Sequence, residues 1–241
     1  HLHSGTGADR SGMIAFAALG VSVLGGAVHG AFHRNSPLFG PALGRIPSDR
    51  KVVALTFDDG PNPDATPLIL DTLREKGVRA TFFILGSHAE RWPGLVRRIA
   101  HEGHQIGNHG YFHRKLHFKS PFYVSRDIRL GLRAIKRAGA PAPRYFRAPH
   151  GFRSPWTTPI ASRYGEKTVG WSLGVWDSDR PGVDEIVKRT LEGVTPGSIV
   201  LLHDGDGYNP DGDRMQTAAA LPLIIDSLKA QGYGFATLPA E

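Results

Sequence analysis

Two adjacent carboxylates, Asp58 and Asp59, stand in the segment Thr56-Phe57-Asp58-Asp59-Gly60-Pro61, directly after an apolar run. Asp-Gly-Pro is a good turn sequence, so the pair reads equally as turn caps. Neighbouring carboxylates can instead divide labour, one binding a metal while the other accepts a proton from water. The segment Gly107-Asn108-His109-Gly110-Tyr111-Phe112-His113 holds two histidines four residues apart, a spacing that puts both imidazoles on one face of a helical turn. Alone, such a pair is most simply two surface histidines. Joined to an Asp from another strand end, it supplies three metal ligands and leaves positions open for water and substrate. The chain has no cysteine, so any metal is held by nitrogen and oxygen. Zinc is the first expectation, with Co2+ or Mn2+ as alternatives.

Two further segments carry chemistry. Arg147-Ala148-Pro149-His150-Gly151 offers a fixed cation followed by a Pro/Gly turn whose backbone amides can face an oxyanion. Leu201-Leu202-His203-Asp204 ends an apolar run with a histidine suited to protonating a leaving amine. The plain alternatives are a strand-capping salt bridge for Arg147 and a satisfied core histidine for His203.

These residues need a scaffold that gathers them. From Val52 onward short apolar runs alternate with amphipathic stretches, which predicts strands over Val52 to Phe57, Ala80 to Leu85, Gln105 to Gly107, Arg144 to Arg147, Thr168 to Leu173, Ser198 to Leu202 and Gly234 to Leu238. Helices are expected near 66–76, 93–102, 122–138, 155–163, 183–192 and 216–231. Strands spaced by helices predict a parallel sheet with right-handed crossovers, closed as a barrel or left open. In a parallel barrel the active site lies at the carboxyl ends of the strands. Asp58 and Asp59 end the first strand, His109 follows the third, Arg147 ends the fourth, Asp177 follows the fifth and His203 ends the sixth.

Composition sets the bounds. The 241 residues are 40% hydrophobic and 21% charged, with a net charge of +7, which suits one sizeable core and a cationic surface. The basic residues are scattered, with no run of five and no aromatic-interleaved stripe, so no nucleic-acid partner is expected. Residues 13–32 (MIAFAALGVSVLGGAVHGAF) carry no Asp, Glu, Lys or Arg and are about long enough to cross a bilayer or form a signal-peptide core. The glycines and His29 within it leave a buried packing helix as the alternative. Residues 1–12 read as a flexible tail, 33–50 as a linker or a wrapping segment rich in Pro and Gly, and 51–241 as one catalytic domain.

The chain resembles the polysaccharide deacetylases, carbohydrate esterase family four or the nodulation-deacetylase homology domain. Four motifs carry the likeness, in the family's order: TFDDG at 56–60, NHGYFH at 108–113, RAPHG at 147–151 and LLH at 201–203. The resemblance spans roughly residues 50 to 239 and implies a distorted (β/α) barrel with about seven parallel strands. It further implies that Asp58 is the general base, that Asp59, His109 and His113 bind the metal, and that His203 is the general acid. Arg147 is implied to position Asp58, the His150 amide to join the oxyanion hole, and Leu201 to line the acetyl pocket. The family's fourth motif, Asp-x-x-Asp-Trp, is here Gly174-Val175-Trp176-Asp177-Ser178, which keeps only the second Asp. Asp177 is expected to orient His203 and raise its pKa, while Trp176, Trp171 or Trp156 replaces the missing sugar-facing wall. His150 stands where the family usually has Tyr or Phe. Residues 206–214 are read as an exposed loop with some rim contact.

The expected reaction is metal-dependent removal of N-acetyl groups from a polysaccharide containing N-acetylglucosamine, peptidoglycan or chitin-like, with release of acetate. An O-acetyl esterase on a xylan-type polymer and a non-catalytic glycan-binding protein on the same scaffold are the alternatives. A monomer is expected, extracytoplasmic and either secreted or tethered to a membrane through residues 13–32.

Overall fold

The computed structural model describes residues 7–240. Along the chain run α1 (Gly7–Phe32), β1 (Val52–Asp58), α2 (Ala65–Lys76), β2 (Thr81–Ile84), α3 (Gly86–Arg91), α4 (Pro93–His101), β3 (Gln105–Asn108), α5 (Pro121–Arg137), β4 (Tyr145–Phe146), α6 (Thr157–Arg163), β5 (Lys167–Thr168), β6 (Leu173–Gly174), α7 (Val183–Gly193), β7 (Ser198–His203), α8 (Met215–Ala230) and β8 (Gly234–Phe235). Local signals account for several boundaries. Ser120 caps α5, its hydroxyl accepting the Tyr123 N–H, with Pro121 in the first turn. Gly77 ends α2 in the left-handed conformation, φ 64°, that a side chain resists.

All strand pairs are parallel, in the order β5-β4-β3-β2-β1-β7-β6, and β8 joins the start of β1 at Val52 and Val53. The single strand expected over 168–173 is two short pieces. Lys167–Thr168 pairs with β4 and Leu173–Gly174 pairs with β7, so one segment carries the sheet round from β4 to β7 and makes the distorted barrel. The break has a physical cause: no straight strand reaches both neighbours. Chain from outside the barrel covers the gap, where Leu43 donates to Thr168 O and accepts from Gly170 N, and Ile46 donates to Gly197 O.

β1 is buried along nearly its whole length, as a parallel strand covered on both faces must be. Its period of two divides the strand between two environments. Val53, Leu55 and Phe57 pack outward with residues of α2, α4, α7 and α8. Ala54 packs inward with Phe83, Tyr145, Val169 and Ile199, and Ile46 and Leu238 belong to the same inner cluster. Thr56 and Asp58 share the inward face, so a carboxylate arrives at the top of the barrel on the strand's own periodicity.

Helix α1 begins at Gly7, inside the stretch read as a tail; the expectation for residues 1–6 lies outside the described residues. From Met13 to Val28 its large apolar side chains are exposed, Phe16 at 78% and Val21 at 72%, which overturns the buried packing helix. Only the last turns dock. Ala31 is buried and its carbonyl accepts the Arg153 N–H, while His29 bonds Ser36 Oγ at 2.8 Å.

Candidate metal centre and active site

Asp58 reaches inward and meets Arg147, a fully buried guanidinium. Arg147 Nη1 donates to Asp58 Oδ1 at 2.7 Å and to Thr56 Oγ1 at 2.8 Å, and Nη2 donates to Gly170 O at 2.7 Å. The cation lies over the Phe83 ring, 4.1 Å from its centroid. This pairing occupies one Asp58 oxygen and leaves Oδ2 free of that clamp, 3.7 Å from His109 Nε2.

Asp59 turns the other way because its backbone is left-handed, φ 71°. Its carbonyl bonds His88 Nδ1 at 2.7 Å, which holds the strained turn in place. Its Oδ1 lies 3.1 Å from His109 Nε2 and 3.0 Å from His113 Nε2. The three ligand atoms are all within 4.8 Å of one another and all three residues are buried. His109 Nδ1–H donates to Arg147 O at 2.8 Å, which fixes the tautomer with the Nε2 lone pair facing Asp59. Asp59 Oδ1 has no hydrogen-bond donor despite its burial. A buried carboxylate oxygen facing two imidazole nitrogens fits a divalent cation, and this donor set suits zinc chemistry. Burial pushes the Asp59 carboxyl up, but His113 and His109 outweigh it and hold the group well below the usual carboxylate range.

The expected helical turn over 109–113 is not there. Gly110 at φ 78° and His113 at φ 52° break it, and His109 and His113 reach Asp59 from an irregular loop. Asp127 holds that loop, its Oδ1 accepting the Tyr111 N–H at 3.1 Å and the Phe112 N–H at 2.9 Å. The three residues are brought together, but not on the helical turn that the spacing suggested. Asp127 escaped sequence reasoning, although one signal existed: it sits on the apolar stripe of α5 with Val124, Ile128 and Gly131, where a carboxylate needs a reason.

His203 stands across the cavity. Its Nδ1–H donates to Asp177 Oδ1 and its backbone N–H to Oδ2, both at 2.8 Å, and Thr217 Oγ1 donates to Oδ2 at 2.7 Å. Burial lowers the His203 pKa, but the Asp177 charge and hydrogen bond override it and raise the group to about 9. The same contacts, working against burial, keep Asp177 ionised below the ordinary range.

One cavity of about 240 Å³ brings together Asp58, Asp59, His109, His113, His150, Leu201 and His203. Beside it runs a groove of about 390 Å³ lined by Phe32, Arg34, Trp171, Trp176, Leu201 and His203 among others. Trp176, 67% exposed at φ 58°, and Trp171 both line that groove. Trp156 does not: its indole donates to Lys119 O and it packs beside α5 and α6. The loop 206–214 contributes more than a rim. Gly207 lies against the His113 ring, and Tyr208 packs on that ring at 5.0 Å while its hydroxyl bonds His150 Nε2 at 2.7 Å. Burial and neighbouring imidazoles depress His150 to about 4, so it stays neutral.

The family profile for polysaccharide deacetylases matches residues 45–169. A chitooligosaccharide deacetylase of a Bradyrhizobium species is 40% identical over 204 residues, covering 80% of this chain and 91% of that one. The crystal structure of the Bc1960 peptidoglycan N-acetylglucosamine deacetylase superimposes with a TM-score of 0.77 at 36% identity, covering 83% and 91% of the two chains. A family-four pseudoenzyme from Bacillus anthracis superimposes with a TM-score of 0.74 at 27% identity, covering 80% and 66%. Fold, motif order and these likenesses agree, and the chain belongs to the polysaccharide deacetylases, carbohydrate esterase family four.

Proposed function

We propose that this chain hydrolyses the N-acetyl groups of N-acetylglucosamine units in a cell-wall or chitin-like polysaccharide, yielding acetate and a free amine. The observation that carries the reading is the Asp59, His109 and His113 cluster, with Asp58 at its side and the His203–Asp177 pair across the same cavity. Asp59, His109 and His113 would hold a divalent cation, zinc by their donor set, and that cation would supply Lewis acidity near neutral pH.

The chain's own groups do the rest. Asp58, held through Oδ1 by Arg147, accepts the proton of the attacking water on Oδ2. As the acyl carbon becomes tetrahedral, the backbone amide of His150 faces the oxygen that gains charge. His203 has Nδ1 tied to Asp177, so Nε2 hands a proton to the departing amine. Leu201 receives the acetyl methyl, and Trp171 and Trp176 give the sugar rings flat faces. Met13–Phe32 is long and apolar enough to cross a membrane, and the tether reading places the enzyme outside the cytoplasmic membrane, where such polymers lie.

The test pairs metal analysis with acetate release from chitin oligomers, peptidoglycan and acetylxylan, on metal-free protein with Zn2+, Co2+ or Mn2+ restored. Release from the first two, recovered with metal, is expected. Release from acetylxylan alone turns the reading to an O-acetyl esterase, and glycan binding without release turns it to a non-catalytic protein.

A further inference from the structure

At the foot of α1 the structure presents an apolar and basic ledge that the reaction does not use. Phe118 and Phe122 are 82% and 77% exposed. The segment 112–123 (FHRKLHFKSPFY) contains no acidic residue, and Arg114 and Lys115 within it are exposed. Among the described residues none of Arg114, Lys115 and Lys119 forms an ion pair. The ledge is anchored: Leu116 is fully buried beside Val124 and Ile128, and Lys119 O accepts the Trp156 indole N–H. It is also continuous with the helix, since the Phe32 ring lies 4.9 Å from His117 and 6.4 Å from Phe118.

The junction between helix and domain is fastened as well. Gly30 lies against the Phe39 ring, the buried Arg153 donates to Ser36 O and Gly40 O, and Arg34 and Asn35 both donate to Trp171 O. Whatever α1 is embedded in therefore sets the orientation of the whole domain. Exposed aromatic rings with flanking lysines at the end of a long apolar helix are the chemistry of a lipid interface.

We propose that Phe118, Phe122, Lys115 and Lys119 seat on the anionic headgroup layer of the bilayer that α1 spans, holding the catalytic groove at the membrane surface. The proposal rests on the reading of α1 as a membrane tether. Phe32 lines the groove, so a glycan bound there would lie close to the lipid.

The native chain has no cysteine, which permits single spin labels without background. V21C, F118C, F122C and E75C variants of the 241-residue chain are labelled and reconstituted in phosphatidylcholine vesicles with and without phosphatidylglycerol. Glu75 is the aqueous control, an exposed residue on α2, which packs with α8. Access to oxygen and to a water-soluble nickel chelate is then measured. The expected result is an acyl-core signature at 21, and loss of nickel access at 118 and 122 when phosphatidylglycerol is present, with 75 unchanged. Adding Lys115→Glu and Lys119→Glu to F118C should restore that access. An acyl-core signature at 21 with 118 and 122 as wet as 75 overturns the ledge while leaving the tether. Aqueous behaviour at 21 overturns the tether and the ledge with it.

Discussion

Asp177 binds His203 twice, taking the backbone N–H on Oδ2 and the ring Nδ1–H on Oδ1, both at 2.8 Å. The double contact fixes ring orientation and tautomer together, and the adjacent charge raises the imidazole to about 9. A folded pKa above the ordinary 6.5 means the pair's stabilising contribution is complete below about 6.5 and is lost as pH rises through about 9.

Catalysis should follow the same group. With His203 as acid, kcat in the native enzyme falls on the alkaline side near pH 9. Asp177→Asn should move that limb toward the ordinary imidazole range and lower kcat at neutral pH. A pH–rate profile checks this, and an alkaline limb unmoved by the substitution removes His203 from the acid's role.

Asp58→Asn preserves the shape beside Arg147 and removes the proton acceptor. Turnover should fall about 100- to 10,000-fold, with metal content unchanged by elemental analysis. Full acetate release from this variant rules Asp58 out as base.

His109→Ala removes one of three ligands and should leave the purified protein without stoichiometric metal, while Asp59→Ala should do the same. Dialysis against a chelator followed by metal titration measures it; native affinity in either variant refutes the ligand assignment.

Gly207 tests the loop beside the candidate metal site. A Cβ at this position would sit 2.0 Å from His113 Nδ1, so Gly207→Ala must displace either the loop or the ligand. Metal affinity should drop by about 10- to 100-fold, the scale on which disturbed ligand support is felt. Competition with a chromogenic chelator reads the change.

Glu166 is buried against Asn108, whose side-chain amide donates to it at 3.0 Å, and burial raises its carboxyl to about 8. A raised acid is neutral in the fold while the unfolded chain ionises above about 4.5, so stability declines from there up to about pH 8. Glu166→Gln should remove this slope and raise Tm at pH 8 relative to the native chain, with a smaller effect at pH 5. Equal shifts at the two pH values contradict the assignment.

Much of the architecture, and the residues that meet in the candidate site, were legible in the sequence. Apolar runs marked the central strands, because a strand buried on both faces tolerates little else, and Asp58, His109, Arg147, Asp177 and His203 fell at or just beyond strand ends. Period two along β1 put Thr56 and Asp58 on the inward face without reference to any partner. What the amino-acid order did not disclose lies in the loops. Asp59, His113, His150 and Trp176 all have left-handed backbones, which the apolar pattern of the sequence does not foretell. Asp127 ties down the 109–113 loop, His88 the Asp59 carbonyl and Thr217 the Asp177 carboxylate, across 15, 29 and 40 positions of chain. Local propensity carries no record of such separations, so tertiary structure alone decided how Asp59, His109 and His113 converge and where α1 meets the groove.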